Sequence, residues 1–170
     1  MIMKNELLQQ LDGLTREIVK EFENELMRRL PDIKYEYGTS ENLDFRIAAV
    51  NKNFGDIGIC IGCKEITVLI GDRFHTHFDI EVSHKDVADN NSKQVIYDVL
   101  QFIEDIINEK ILLRVKMSGE RVISSSIVDA DDINKPIESM AELSGLLKGI
   151  FSNKASIRLY SWSGIQKEIK

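Results

Sequence analysis

The first thirty residues carry apolar side chains at spacings of three and four, separated by charged and amide side chains. This period places the apolar side chains on one stripe of a helix, so it predicts an amphipathic α-helix over residues 5–30. Asn5 belongs to the residue types that cap helix amino termini, and Pro31 ends the helix because the residue before a proline avoids helical geometry. We expect the apolar stripe to pack on the protein's own sheet.

Beyond Pro31 the apolar positions alternate with polar or small ones, which is the period of a strand with one buried face. Short segments rich in Gly, Asn and Asp separate the alternating segments and predict turns. Strands joined by short connections favour an antiparallel meander. The predicted strands are residues 33–37, 43–49, 57–61, 65–70 and 74–81.

The last of these strands, residues 74–81, holds two of the three histidines of the chain. Successive side chains of a strand point to opposite faces, so its largely apolar even-numbered side chains share one face, which we expect to be buried. The other face carries His75, His77 and Asp79. This polar face is the first candidate for a functional site.

A second helix is predicted after a polar stretch. Residues 83–92 have the composition of a loop, and apolar side chains at helical spacing then predict a helix over residues 92–109. Its apolar face is broader than that of the first helix, so we expect it to be the more buried of the two.

The remaining segments predict a hairpin, a helix and a strand. Residues 111–117 and 121–128 alternate on either side of a short turn containing Gly119, which favours a β-hairpin. Pro136 is expected to open a third helix. Residues 155–162 are predicted to form the last strand.

The order of these elements favours the α+β class, because the strands come in runs rather than alternating singly with helices. A chain of 170 residues, 43% of them hydrophobic, is long enough to bury one core. We therefore predict a single α+β domain over residues 1–170, with a largely antiparallel sheet, helices packed mainly on one face and a long amino-terminal helix.

The charge and the apolar runs restrict the partners. The formal net charge is −6, whereas affinity for nucleic acids comes largely from Lys and Arg that neutralise phosphates, so no nucleic-acid partner is expected. No segment approaches the ~18 consecutive apolar residues of a membrane span, and the amino terminus lacks the pattern of a signal peptide. We expect a cytoplasmic protein without a membrane partner.

The histidine face suggests metal chemistry. His75 and His77, two residues apart on a strand, reach the same side, and Asp79 adds a carboxylate; transition metals favour such ligands. The His-x-His spacing resembles the motif that begins the series of metal ligands in PHP phosphoesterases and amidohydrolases. This resemblance implies a small metal-dependent hydrolase, which we keep as the alternative function.

A second metal hypothesis adds the only two cysteines, Cys60 and Cys63. Two thiolates together with His75 and His77 would be a valid zinc set, provided that neighbouring strands bring them to one face. Two cysteines cannot form a disulfide framework, and in a reducing compartment they usually remain thiols. The simpler interpretation is therefore a pair of thiols without a metal.

No other catalytic pattern is present in the sequence. The serines Ser124, Ser125 and Ser126 lie in a predicted strand without a strained Gly-x-Ser-x-Gly turn, and no glycine-rich phosphate loop occurs. We expect no cofactor.

Two acidic stretches and one aromatic side chain are candidates for binding a protein partner. Exposed carboxylates steer a basic partner, and a tryptophan can anchor an interface, although tryptophan is more often part of a core. The candidate partner-binding residues are Asp86, Asp89, Asp129, Asp131, Asp132 and Trp162.

Two segments carry a further resemblance. Residues 65–79, with Glu-Ile-Thr-Val-Leu-Ile-Gly followed by Phe-His-Thr-His-Phe-Asp, and residues 158–164, Arg-Leu-Tyr-Ser-Trp-Ser-Gly, resemble small uncharacterised bacterial proteins, some of them associated with immunity to toxins. The resemblance implies a stoichiometric protein binder. We therefore predict a non-enzymatic binding protein, with immunity to a basic toxin domain as the specific form.

Overall fold

The structure is a computed structural model of the chain, and it describes residues 11–38, 45–80, 85–134 and 155–169. The helices are α1 (Gly13–Arg29) and α2 (Lys85–Ile107), and a 3-10 helix covers Ala130–Asn134. The strands are β1 (Tyr35–Tyr37), β2 (Phe45–Ile47), β3 (Ile57–Ile61), β4 (Glu65–Ile70), β5 (Phe74–Asp79), β6 (Ile111–Ser118), β7 (Arg121–Asp129), β8 (Ala155–Tyr160) and β9 (Ile165–Ile169).

Helix α1 begins at Gly13, so the prediction of one uninterrupted helix over residues 5–30 is wrong at its start. The carboxylate of Asp12 accepts hydrogen bonds from the backbone N–H groups of Leu14 and Thr15, both at 3.0 Å, and so caps the helix. The Thr15 hydroxyl also donates to this carboxylate and lowers the pKa of Asp12. The predicted cap Asn5 lies outside the described residues, whereas the predicted end before Pro31 is confirmed.

The first sheet contains β1 to β5 in sequential order, and all neighbouring strands are antiparallel. The predicted meander is therefore confirmed. Gly55, Gly62 and Gly71 lie in the connections from β2 to β3, β3 to β4 and β4 to β5, and alternation along the strands sends one set of side chains to a buried face. Buried side chains on this face include Phe45, Ile47, Ile57, Ile59, Ile66, Val68 and Ile70.

Helix α2 begins at Lys85, so residues 85–91 are helical and not part of a loop as predicted. The Asp and Asn residues that suggested a loop have only weak intrinsic preferences, and the strongly amphipathic segment that follows extends the helix back through them. The side chains of residues 85–90 are not described. Among the described residues, no helix is long and apolar enough to cross a membrane.

Both helices pack on the buried face of the first sheet. Helix α1 contributes Phe22 and Leu26, and α2 contributes Val99, Leu100 and Ile103, all fully buried. These side chains join those of the sheet in one hydrophobic cluster, which also includes residues of the second sheet. The α+β class, the antiparallel sheets and the helices on one face are as predicted.

Arg29 joins the two helices. Its guanidinium donates to both carboxylate oxygens of Glu104, at 2.6 and 2.7 Å, and to Gln101 Oε1 at 2.8 Å. It also lies over the ring of Tyr97, 4.5 Å from the centroid. The Arg29 side chain is only 10% exposed, so water does not replace these bonds readily if they are lost.

Replacing Arg29 with methionine is expected to lower the free energy of unfolding by about 2 to 3 kcal/mol, because Glu104 is then left partly buried without its cation. The neighbouring Arg28 is the matched control, since its side chain is 68% exposed and forms its ion pair with Glu25 on the same helix. Arg28→Met should cost much less, because water and salt screen an exposed pair. Urea denaturation of both variants measures the difference, and equal losses would contradict the role assigned to Arg29.

The second sheet has the strand order β7-β6-β8-β9, and its neighbours are also antiparallel. The strands therefore form two sheets rather than one. The predicted hairpin is confirmed as β6 and β7, but β8 is not the last strand, because β9 pairs with it. The predicted helix from Pro136 lies outside the described residues.

Two turns of the first sheet connect it to the second. In the turn between β2 and β3, the N–H of Asn51 donates to the Trp162 carbonyl at 3.0 Å. In the turn between β4 and β5, the Arg73 guanidinium donates to the Asn53 carbonyl at 2.8 Å and lies near the Tyr160 ring. The Ser125 hydroxyl of β7 donates to the Arg73 carbonyl. These contacts fix the two sheets against each other.

Candidate functional site

The histidine face has the predicted orientation. Strand β5 alternates in exposure, with His75, His77 and Asp79 exposed and the even-numbered side chains half-buried. Across the strand pair, Thr67 of β4 lies opposite His77, and Glu65 lies opposite Asp79. The exposed face therefore brings imidazole, hydroxyl and carboxylate groups together.

Within this face His77 makes the closest polar contacts. Its Nδ1 lies 3.1 Å from Thr67 Oγ1 and 3.4 Å from Glu65 Oε2. A protonated His77 ring would form an ion pair with Glu65. A neutral ring can either donate to the Thr67 hydroxyl or accept from it, depending on the tautomer. The His75 and His77 rings meet edge to face, with centroids 5.2 Å apart.

The described residues contain no group of three or more His, Cys, Asp or Glu side chains placed to hold one metal ion. His75, His77 and Asp79 share a face, but sharing a face does not make their donor atoms converge on one point. Catalytic metal sites need three protein ligands and an open position. The alternative hydrolase hypothesis therefore lacks a ligand set within the described part of the chain.

The two cysteines do not join the histidines. Cys60 pairs with Thr67, and Thr67 pairs with His77, so Cys60 and His77 are on the same face but two strands apart. That separation is about 9 to 10 Å, and Thr67 stands between them. Cys63 lies in the turn between β3 and β4, and neither half-buried thiol forms a disulfide.

Two of the three strand serines, Ser125 and Ser126, have structural roles. Ser126 Oγ accepts a hydrogen bond from Arg114 Nε at 3.0 Å, while the Ser125 hydroxyl is bonded to the first sheet. Neither contact involves a general base, so these hydroxyls are used for packing the strands.

The acidic stretch at the end of β7 is exposed and ordered by backbone bonds. Asp129 ends the strand, and Asp131 and Asp132 lie in the first turn of the 3-10 helix, which replaces the predicted loop. Asp129 Oδ1 accepts the N–H of Asp131 at 2.8 Å, and the N–H of Ala130 donates to the Lys110 carbonyl at 2.7 Å. The three carboxylates are thus held on a fixed backbone. Asp86 and Asp89 lie in α2, and their side chains are not described.

Trp162 is a core residue, so its assignment to a binding surface is wrong. Its side chain is 6% exposed and packs edge to face against Phe54, with ring centroids 5.7 Å apart. A large aromatic side chain gains more by filling the junction between the two sheets than by remaining in water.

Sequence reasoning missed a buried carboxylate on α1. Glu23 is 4% exposed and accepts hydrogen bonds from the hydroxyls of Tyr35, at 2.7 Å, and Tyr37. A signal was present, because position 23 falls on the buried stripe of α1 beside Val19 and Leu26, and the two tyrosines alternate in phase on β1. Burial, followed by the bond to Glu23, raises the pKa of Tyr35 to about 12, and the pKa of Tyr37 is raised further.

Alkaline pH should therefore weaken the fold. A phenol whose pKa is higher in the folded than in the unfolded chain contributes stability that is complete below pH 10 and is lost as the pH rises towards about 12. We expect the free energy of unfolding to fall across this window and to fall less steeply in a Tyr35→Phe, Tyr37→Phe variant. Denaturation series between pH 9 and 12 measure both slopes; parallel curves for parent and variant would contradict the raised pKa of the two tyrosines.

Comparisons with protein-family models, with curated proteins and with solved structures yield no match for this chain.

Proposed function

We propose that this chain is a non-enzymatic binding protein whose partner is a basic protein domain, and that neutralisation of a toxin is the specific form of this activity. The observation that carries the proposal is the exposed acidic segment Asp129, Asp131 and Asp132 on a backbone fixed by hydrogen bonds. Such a segment meets a cationic surface without first having to be ordered, which lowers the entropic cost of binding.

The physical role of the segment is to accelerate encounter. Carboxylates at an exposed edge raise the local concentration of a cationic partner, and the net charge of −6 adds a long-range attraction of the same sign.

The proposal is tested by capture from the native cell followed by a comparison of variants. The purified chain is immobilised, retained proteins are identified by mass spectrometry, and the tightest basic partner is expressed for titration. Asp131→Asn combined with Asp132→Asn should weaken its binding by about tenfold, since each neutralised charge near a cationic surface contributes on the order of 1 kcal/mol or less.

The control is a double variant of equal charge change, Asp72→Asn with Asp32→Asn. Asp72 is 96% exposed in the turn between β4 and β5, and Asp32 is exposed just after α1. If the control pair weakens binding as much as the acidic-segment pair, net charge acts alone and the assigned surface is wrong. If no basic protein is retained, the proposed function itself fails.

A further inference from the structure

The two histidines of strand β5 lie closer together than the strand alone requires. Residues two apart on a strand have Cα atoms about 6.6 Å apart, because each residue advances the chain by about 3.3 Å. The ring centroids of His75 and His77 are only 5.2 Å apart, so the two rings lean towards each other. Both side chains are exposed, and six residue pairs between β4 and β5 hold the backbone beneath them.

This separation is that of two imidazoles that share one metal ion. Zinc binds a histidine nitrogen at about 2.0–2.1 Å with tetrahedral angles, which places the centroids of two bound rings about 5 Å apart. The edge-to-face contact has to open so that one nitrogen of each ring points to the ion. This requires rotation about χ2, a torsion with broad minima in histidine, and rings that are exposed displace only water as they turn.

The contacts of His77 select the nitrogen that binds the metal. Its Nδ1 lies 3.1 Å from Thr67 Oγ1 and 3.4 Å from Glu65 Oε2. Histidines that bind metals usually donate the N–H of their other ring nitrogen to a carboxylate or a similar acceptor, which orients the ring and makes it a better ligand. When Nδ1–H donates to these oxygens, Nε2 of His77 carries the lone pair for the ion.

The charges around the two rings favour a cation. Glu65 and Asp79 lie opposite each other on β4 and β5, and Asp79 shares the exposed face with the histidines. Two nearby carboxylates attract a divalent cation and repel an anion. Imidazole nitrogen is a ligand that suits zinc, copper and nickel ions, whereas the Cys60 thiol lies two strands away from His77.

From these observations we infer that His75 and His77 together bind one Zn²⁺ ion through one nitrogen of each ring, with Glu65 and Thr67 orienting His77. Within the described residues no third His, Cys, Asp or Glu side chain joins them, so water fills the remaining positions. Structural zinc sites use four protein ligands and catalytic sites three, so this ion exchanges readily and neither holds the fold nor catalyses hydrolysis. The inference is independent of the acidic segment and of the proposed protein partner.

Titration of the full chain with Zn²⁺, followed by the NMR chemical shifts of the imidazole nitrogens, tests the inference. The chain has only three histidines, so each ring can be assigned by substitution. We expect one nitrogen of His75 and Nε2 of His77 to respond together and to saturate at one ion per chain. Unchanged shifts of both rings would overturn the inference, as would zinc bound at Cys60 and Cys63 alone.

Calorimetric titration of variants measures the part that each ring plays. His75→Ala and His77→Ala should each weaken Zn²⁺ binding by on the order of a hundredfold, because a single ring lacks the gain from a second ligand held nearby. His84→Ala is the matched control, since it removes the third histidine, which lies outside the described residues. An affinity that is unchanged in the first two variants, or lowered equally in the control, would contradict the assigned site.

Glu65→Gln tests the orienting role separately. It should weaken Zn²⁺ binding by about tenfold, since losing the hydrogen-bond partner of a metal-binding histidine typically costs about 10- to 100-fold in affinity. Glu36→Gln makes the same charge change on β1, at the opposite edge of the first sheet, and should have a much smaller effect. Equal losses in the two variants would mean that general charge attraction acts alone, which would contradict the role of Glu65.

Discussion

Replacing Gly55 with alanine is expected to lower the free energy of unfolding by about 3 kcal/mol or more. Gly55 has φ +94°, a conformation that costs residues with a Cβ roughly 1–2 kcal/mol. In addition, a Cβ at this position would lie 2.8 Å from Gly71 Cα and 3.0 Å from Gly71 N. Backbone atoms cannot move aside as a side chain can, so overpacking adds about 1–3 kcal/mol.

Gly119 supplies the matched control for this prediction. It also has positive φ, at +62°, but a Cβ there would meet nothing within 4 Å. Gly119→Ala should therefore show the conformational cost alone, about 1–2 kcal/mol. Urea denaturation of both variants separates the two contributions. Equal losses would mean that the turns containing Gly55 and Gly71 do not pack as closely as described.

Phe45→Ala is expected to cost about 3 to 5 kcal/mol, since it removes a fully buried ring and leaves a cavity. The Phe45 ring lies 5.3 Å from the Phe22 ring, 5.6 Å from Tyr35 and 5.5 Å from Tyr37, measured between centroids. The cavity would thus open beneath β1 and loosen the tyrosines that bind Glu23.

Phe78→Ala is the comparison for this prediction. Phe78 lies on the inward face of β5, where its ring is 5.8 Å from that of Phe102, but it is only half-buried. Its truncation should cost about half as much as that of Phe45, because less apolar surface is removed from the core. Thermal or chemical denaturation gives both values, and a larger loss for Phe78 would contradict the described burial.

Periodicity predicted the first sheet well and the ends of the chain less well. Strands β3 and β4 match their predicted bounds because clean alternation is bounded by glycine turns. Strand β9 was not predicted, since Ile-Gln-Lys-Glu-Ile is short and has three polar residues in its centre. The start of α2 was missed because Asp and Asn, common in loops, are tolerated where an amphipathic helix extends through them.

For the candidate site, the sequence predicted the face to which each side chain points better than it predicted whether the donor atoms meet at one point. Alternation placed His75 and His77 on the exposed face, but whether donor atoms meet depends on strand pairing and on side-chain rotamers. Trp162 could not be assigned to a surface or a core from its neighbours alone. The Glu23 cluster was missed because a carboxylate on a helix normally faces water, and its tyrosine partners come from another element.

The central claim, that the acidic segment steers a basic partner, is tested most directly by the association rate of the captured pair in stopped-flow mixing. We predict a rate that falls as salt is raised, and that is lowered at low salt by Asp131→Asn with Asp132→Asn while the dissociation rate changes little. An association rate insensitive both to salt and to these substitutions would contradict the account.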